Sequence, residues 1–411
     1  MNDRKPKRLD QLGSVARGKS RHRPRNDPAL YGGRWPFFQT GDVKAAELYL
    51  HSFSQTYNDA GLAQSKLWPA GTLCITIAAN IADTAILGIP GCFPDSVVGF
   101  IADPAQSDAR FVKYYIETLK QGMQNASRGT TQDNLSVDKL LTFEFLVPSA
   151  RRQREIASIL SAYDDLIENN TRRIAILEEM ARRIYEEWFV RFRFPGHENV
   201  RMVESELGLV PAGWRPSVLG DVLENVKIGT RAGDHLSSRR YVPIDCIGRK
   251  TLALAESKPW SEAQSSLILF EEDDVLFGAM RAYFHKVCVA PFPGVTRTTC
   301  FVLRPRRPEF TAFGTMTAFA EPTVDYAAKH AQGATIPYAV WDGSLARMPV
   351  LLPPDDLLRQ FQMAVSPMLA WVKGALARQN NLRETRDLLL PKLISGELDV
   401  SALPEPEALA P

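Results

Sequence analysis

Leu12-Gly13-Ser14-Val15 recurs as Leu219-Gly220-Asp221-Val222, and Leu146-Val147-Pro148 recurs as Leu351-Leu352-Pro353. Between these landmarks Ser127-Arg128-Gly129-Thr130-Thr131 recurs as Ala331-Gln332-Gly333-Ala334-Thr335. The offset is about 205 residues each time, and an internal repeat of that length means one architectural unit used twice. Residues 12–191 and 219–395 thus share a plan: a Leu-Gly opening, a mixed module, a glycine turn and a long amphipathic helix. Two similar modules on one chain suit a target with two similar halves.

The helices carry the strongest local signal. Ile156, Leu160, Tyr163, Ile167, Asn170, Ile174, Leu177, Ala181, Ile184 and Trp188 alternate steps of four and three. That is an a/d seam, and the polar Asn170 within it is placed to fix register. Glu168 with Arg172, Glu178 with Arg182 and Glu179 with Arg183 stand at i,i+4 on the outer faces. Ile159, Leu166, Ile176, Met180 and Phe189 widen the apolar stripe, which predicts more than one partner surface. A second seam runs through Leu358, Phe361, Val365, Met368, Val372, Ala375, Gln379, Leu382, Arg386 and Leu389. Pro367 predicts a kink or break in it, and Pro391 its end. Each seam is too apolar to stand alone, so the expectation is one antiparallel helix pair. At about 1.5 Å per residue such a rod is roughly 50 Å long, longer than one DNA turn of ~34 Å.

The modules between the helices read as small α/β units. Phe37–Gln39 and Tyr241–Ile244 read as short strands at matching positions, as do Leu73–Ala78 and Asp274–Phe277. Ala85–Ile89 reads as another buried strand. Phe111–Gln121, Thr311–Ala320 and Thr323–Lys329 read as helices. Gly71–Phe93 is apolar, but Asn80, Asp83 and Pro90 argue against a membrane span.

Charge is uneven. The net value is +2, yet residues 1–25 hold nine Lys/Arg against two Asp. That arm is either a solvated, partly disordered tail or a phosphate-contacting segment. The five cysteines (Cys74, Cys92, Cys246, Cys288 and Cys300) form no C-x-x-C pair and fit buried reduced thiols of a cytosolic protein. The six histidines lack metal-ligand spacing. The charged N-terminus has no apolar signal-peptide region.

Catalytic patterns are weak. Gly13-Ser14-Val15-Ala16-Arg17-Gly18-Lys19-Ser20 spells a phosphate-loop motif, but a charged arm precedes it and Arg21-His22-Arg23-Pro24-Arg25 follows. Such a loop needs a buried strand before it and a helix after it. Asp245, Glu256 and Lys258, and again Asp27, Asp42 and Lys44, form only loose nuclease-like sets. Asn-Pro-Pro-Tyr, G-x-G-x-x-G, G-x-S-x-G and H-E-x-x-H segments are missing. The pattern favours binding over catalysis.

Four segments resemble a known family. Arg152-Gln153-Arg154-Glu155-Ile156 and Met180-Ala181-Arg182-Arg183-Ile184-Tyr185-Glu186-Glu187-Trp188-Phe189-Val190-Arg191-Phe192 resemble the start and end of the central helix of type I restriction–modification specificity subunits. Glu204-Ser205-Glu206-Leu207-Gly208-Leu209-Val210-Pro211-Ala212-Gly213-Trp214 resembles the linker into their second half. Leu389-Leu390-Pro391-Lys392-Leu393-Ile394-Ser395-Gly396-Glu397-Leu398 resembles their C-terminal signature.

The resemblance implies an α/β (α+β) fold with pseudo-twofold internal repeat. Two target-recognition domains (1–145 and 195–350) would alternate with helical regions (146–194 and 351–400), packed as an antiparallel coiled coil, before a tail at 401–411. Each domain would read one half of a bipartite site on double-stranded DNA in a prokaryotic cytoplasm, at the nucleoid. Two methyltransferase subunits and the restriction subunits would assemble on the chain. S-adenosylmethionine, ATP and Mg²⁺ would be bound by those partners, with neither catalysis nor metal on this chain and no membrane partner.

Base reading favours Arg for guanine and Asn or Gln for adenine, while phosphate contacts position the module. The first module offers Arg21, Arg23, Arg25, Gln39, Asn80, Arg128, Gly129, Thr130, Thr131 and Gln132. The second offers Arg231, Arg239, Arg240, Arg281, Tyr283, His285, Lys286, Gly333 and Thr335. The competing reading is a surface ion pair for each Arg, a satisfied amide for Asn80 or Gln39, and a core position for Tyr283.

Overall fold

The structure, a computed structural model, describes residues 4–127, 135–206, 208–264 and 266–400. Two compact units divide the chain, Met1–Asn169 with Asn380–Pro411, and Asn170–Gln379. Each unit therefore combines one module with one end of both long helices. No described helix is long and apolar enough to cross a membrane.

In the first unit, β1 (Gly13–Arg17), β2 (Leu73–Thr76), β3 (Thr84–Leu87) and β4 (Val97–Ala102) form a sheet in the order β1-β4-β2-β3, all antiparallel. Tyr49–Leu50 adds to β3 in parallel. β2 and β3 are buried throughout, as their Leu/Ile/Ala-rich sequences require. The helix α1 (Ala109–Ser127) places Phe111, Val112, Tyr114, Ile116 and Met123 in the same core as Leu73, Ile75, Ile86 and Phe100. Ile156 and Leu160 of α2 (Ala150–Tyr185) join that core, with Leu393 and Ile394 from the end of the second long helix.

The second unit repeats the scheme. β5 (Leu223–Asn225), β6 (Val275–Gly278), β7 (Val287–Val289) and β8 (Cys300–Pro305) run in the order β5-β8-β6-β7. Thr311–Phe319 and Glu321–Lys329 stand where the first unit has α1. A separate five-stranded sheet includes Gly229–Arg231 and Arg240–Tyr241, and unit 1 keeps only its traces in the bridges Phe37–Cys92 and Trp68–Gly91 among the described residues. Tyr31–Phe37 of the first unit instead pairs with Gln55–Tyr57. Phe37 and Tyr241 nonetheless stand at matching positions: each pairs in parallel with the segment before its unit's last sheet strand, Phe37 with Cys92 and Tyr241 with Val295.

The repeat is real, but its opening register needs correction. Leu219–Val222 is a helical turn before β5, and its counterpart before β1 is Leu9–Leu12, three residues ahead of the segment that resembles it in sequence. Leu9 and Leu219 are both 0% exposed. Gln11 accepts from the Arg8 amide at 2.8 Å, as Asp221 accepts from the Val218 amide at 3.4 Å. At the other end the sequence register holds: Lys5 pairs with Val147, and Arg215 with Leu352.

The basic arm is not free from residue 4 onward. Lys5–Arg8 pairs with Glu144–Val147. The Arg4 guanidinium donates to the carbonyl oxygens of Leu393, at 3.0 Å, and Ile394, capping the last turn of a helix. The motif-like segment Gly13–Arg17 is β1, an ordinary sheet strand. Gly18 follows it so close to its neighbour that a Cβ would lie 2.3 Å from the Pro94 oxygen.

The second long helix, α3 (Asp355–Ser395), passes through both Pro367 and Pro391, so neither breaks nor ends it. Both prolines lie on the exposed side, and Met363, whose carbonyl loses its N–H donor to Pro367, is 70% exposed. The donor is thus lost on the solvent side of the helix, where the loss costs least. In unit 1, α2 and α3 run antiparallel: Arg386 bonds Asp164, and Arg152 pairs with Asp399 at 3.1 Å. In unit 2 they do so again: Gln379 Nε2 donates to Thr171 Oγ1 at 2.6 Å, while Phe361 meets Tyr185 and Trp188.

Ile156, Leu160, Ile167, Ile174, Leu358, Phe361, Val365 and Val372 are buried. Tyr163, Asn170, Leu177, Ile184, Trp188, Leu382 and Leu389 are half-buried. The buried amide bonded across the pair is Gln379, and its partner is Thr171, next to Asn170. α2 ends in a π-helical stretch, Glu186–Val190, which turns Phe189 into the core position expected of Trp188. Glu178 leaves its expected partner Arg182 and accepts from Thr251 Oγ1 and the Ala253 amide, both at 2.8 Å. Burial raises its carboxyl pKa. Leu166, Ile176 and Met180 remain exposed.

Candidate nucleic-acid interface

Each unit carries one tight loop at the same place in its sheet. In unit 1 the chain between β2 and β3 turns through Ala79 (φ 62°) and Ala82 (φ 63°). A left-handed alanine costs on the order of 1 kcal/mol, so the surroundings must hold it there. Thr76 does so: its hydroxyl donates to Asn80 O and accepts from the Asp83 amide at 3.0 Å. Lys120 of α1 bonds Asp83 at 2.6 Å, and Gln124 donates to Ile81 O at 3.2 Å. The loop is clamped, and half-buried Asn80 rides on it with no side-chain partner among the described residues.

Beside Ala79 lies an open cleft of about 340 Å³ that includes Arg25, Gln39 and Gln55. Gln39 Nε2 donates to Gln55 Oε1 at 2.7 Å at the exposed edge. Arg25 is held by Asp95 at 2.7 Å, and Arg23 lies 3.9 Å from the same carboxylate. Arg23 also donates to Ser20 O at 2.7 Å. Tyr31 donates to Arg25 O at 2.8 Å, and burial pushes its hydroxyl up to about 12, so it stays a donor. Arg21 is exposed, its side chain unpaired among the described residues. Arg128, Gly129, Thr130, Thr131 and Gln132 lie outside the described residues.

In unit 2 the chain between β6 and β7 turns through Arg281 and His285, both at φ 51°. His285 is buried and hydrogen-bonds Phe319 O through Nε2 at 2.8 Å. Burial lowers its pKa, so the neutral ring is favoured and Nε2–H donates. Lys286 Nζ donates to Ile244 O at 2.7 Å. These two expected DNA contacts are instead internal anchors. Tyr283 reverses the other way: it is 56% exposed, its ring edge-on to Phe284 at 4.8 Å. Arg281 is exposed, and its side chain is unpaired among the described residues.

A strap braces this loop. Gln332 and Tyr338 exchange two backbone bonds of 2.8 Å around Gly333, whose φ of 92° suits glycine, and the Arg281 amide donates to Pro337 O at 2.8 Å. Thr335 is exposed on it. The other arginines differ. Arg239 is spent on Phe270 O at 3.0 Å and Glu271 at 2.8 Å, which ties strand ends together. Arg240 reaches Ser257 at 3.4 Å. Arg231 is exposed on its strand. Sequence reasoning missed Gln55 and Lys120, and placed Lys44 only in a loose nuclease-like set, because only the folded hairpin and α1 bring them beside Gln39 and Asn80.

Residues 1–179 match the model of the type I restriction modification DNA specificity domain. The type I restriction enzyme MjaIX specificity subunit of Methanocaldococcus jannaschii is 25% identical over 413 residues, covering 97% of this chain and 94% of that protein. By these likenesses the chain resembles the type I restriction–modification specificity subunits. Its fold agrees with that of the type I restriction–modification S subunit from M. genitalium: TM-score 0.61 at 15% identity, covering 95% of this chain and 96% of the other. The matched domain is one of DNA specificity, and the relative is the specificity subunit of a type I restriction enzyme. In this chain the two clamped loops hold half-buried Asn80 and exposed Arg281 on rigid backbone.

Proposed function

We propose that this chain is a specificity subunit and reads a bipartite site on double-stranded DNA, one half with each module. The observation that carries the proposal is the recurrence of one sheet plan, with an equivalent clamped loop, in two separate units. Paired helices α2 and α3 set the distance between half-sites and dock two methyltransferase subunits. The exposed Leu166, Ile176 and Met180 of α2 supply apolar contact for that docking. Restriction subunits join for cleavage. The chain itself catalyses nothing: S-adenosylmethionine, ATP and Mg²⁺ act on the partner subunits, where the target adenine is flipped from the duplex. Arg21 and Arg231, exposed in their units, serve phosphate.

The test is genome-wide mapping of methylated adenine in cells that co-express this chain with its methyltransferase subunit. A bipartite methylated motif should be present with the chain and vanish when it is omitted. A motif that persists without the chain would show that the methyltransferase reads the sequence itself.

A further inference from the structure

The two clamped loops occupy the same topological place. Leu73 pairs with Ile86 across β2 and β3, and Val275 with Val289 across β6 and β7; Leu73 also pairs with Phe100, and Val275 with Leu303. Residues 77–82 and 279–285 therefore cap corresponding hairpins. Both contain two non-glycine residues with φ of 51–63°. Left-handed backbone at such residues persists only where the surroundings over-determine it, and it concentrates at functional sites.

The clamping groups differ, but the outcome is one. In unit 1 they are Thr76, Lys120 and Gln124. In unit 2 they are His285, Lys286 and the Gln332–Tyr338 strap. Each clamp leaves a polar side chain with no partner among the described residues, Asn80 in one loop and Arg281 in the other. A side chain held on rigid backbone with its hydrogen-bonding face unspent loses little entropy when it meets a base. Nearby groups suit a nucleic acid as well: Lys44 lines the recess that holds Asn80, and exposed Tyr283 stands two residues from Arg281.

We infer that these loops are the equivalent base readers of the two modules, Asn80 bonding adenine in one half-site and Arg281 bonding guanine in the other. The bonds are those of the major-groove edge: an amide to N6 and N7 of adenine, a guanidinium to O6 and N7 of guanine. The inference rests on the reading that each module binds one half-site, and it names the residue and base in each.

The experiment maps adenine methylation in cells that hold the full chain and its methyltransferase subunit, comparing wild type with Asn80→Ala and Arg281→Ala. Asn80→Ala should relax a single A·T pair in one half-site, and Arg281→Ala a single G·C pair in the other. Discrimination there should fall on the order of tenfold, with the opposite half-site unchanged. If both variants keep the parental motif at every position, the assignment is overturned while the two-module reading survives. If wild type gives no chain-dependent bipartite motif, that reading itself fails. Where a variant methylates too little to map, the purified complex selects from a randomised duplex pool. A relaxed single position supports the assignment there, and uniformly weaker binding with unrelaxed preference overturns it.

Discussion

The two units solve one packing problem with opposite chemistry. Where the long helices meet the module in unit 1, the junction is ionic. Lys113, 1% exposed, bonds Glu117 at 2.6 Å and lies 4.0 Å from Asp164, itself 1% exposed. Tyr114 donates to Asp164 at 2.5 Å, and Arg386 of α3 completes the cluster. Burial and the Asp164 charge raise the Tyr114 pKa, so the phenol stays protonated. In unit 2 the corresponding place is aromatic. Phe189 lies 4.7 Å from Phe361, 4.9 Å from Phe313 and 5.9 Å from Trp214, ring centre to ring centre. A buried ionic cluster adds little net stability but requires every partner to be present; an aromatic cluster stabilises through area and tolerates approximate shapes. We expect unit 1 to be selective about which helix it accepts and unit 2 to be held mainly by burial.

The largest effects should come from cutting each junction. Asp164→Ala leaves the buried Tyr114 hydroxyl without its acceptor and Arg386 without its partner on α2, and should cost about 3–5 kcal/mol. Phe361→Ala opens a cavity and should cost about the same. Amide exchange locates the damage: α1 should exchange faster in the first variant, Thr311–Phe319 in the second. Equal effects of either variant on both units would erase the contrast. Joint replacement Lys113→Met, Tyr114→Phe, Asp164→Leu and Arg386→Leu should recover most of the Asp164→Ala loss, since apolar substitutes of similar volume often match a buried ionic cluster. Failure to recover would mean the cluster contributes stability outright.

A smaller effect separates the units by pH. His285 has a folded pKa below its ordinary 6.5. Its neutral form is the one the fold prefers, so its contribution is full above 6.5 and is lost as pH falls through the lowered value. Exchange in residues 279–285 and in unit 2 should quicken over that interval, and His285→Gln, which keeps a donor for Phe319 O, should flatten the response. An unchanged slope in the variant would assign it to other groups. The smallest change is Arg4→Ala. Loss of the cap should cost unit 1 about 0.5–1 kcal/mol and fray residues 392–395, visible as faster exchange confined to those amides.

The long helices were legible because their information is local: ten seam positions at steps of three and four suffice. The repeat was legible too, but its opening register was not. Leu12-Gly13 and Leu219-Gly220 look alike, whereas the shared structural feature is a capped turn that begins at Leu9 and Leu219. The site shows the same limit more sharply. Asn80 and Arg281 were readable as residue types suited to bases, but that they have no side-chain partner among the described residues depends on distant groups such as Lys120 and Pro337. Tyr283 and His285 exchanged their expected roles because left-handed backbone at Arg281 and His285 breaks strand alternation, turning His285 into the core and Tyr283 out. Pro367 and Pro391 misled for a related reason: a proline on the solvent side of a well-packed helix is tolerated by contacts its sequence neighbours do not reveal.

The account's central claim is two independent readers on one chain. Its most direct test exchanges residues 1–145 for those of another specificity subunit and maps methylated adenine in cells with the methyltransferase subunit. The account predicts a new motif in which one half-site changes and the other, with its spacing, is kept. A change in both half-sites together, or in neither, would contradict it.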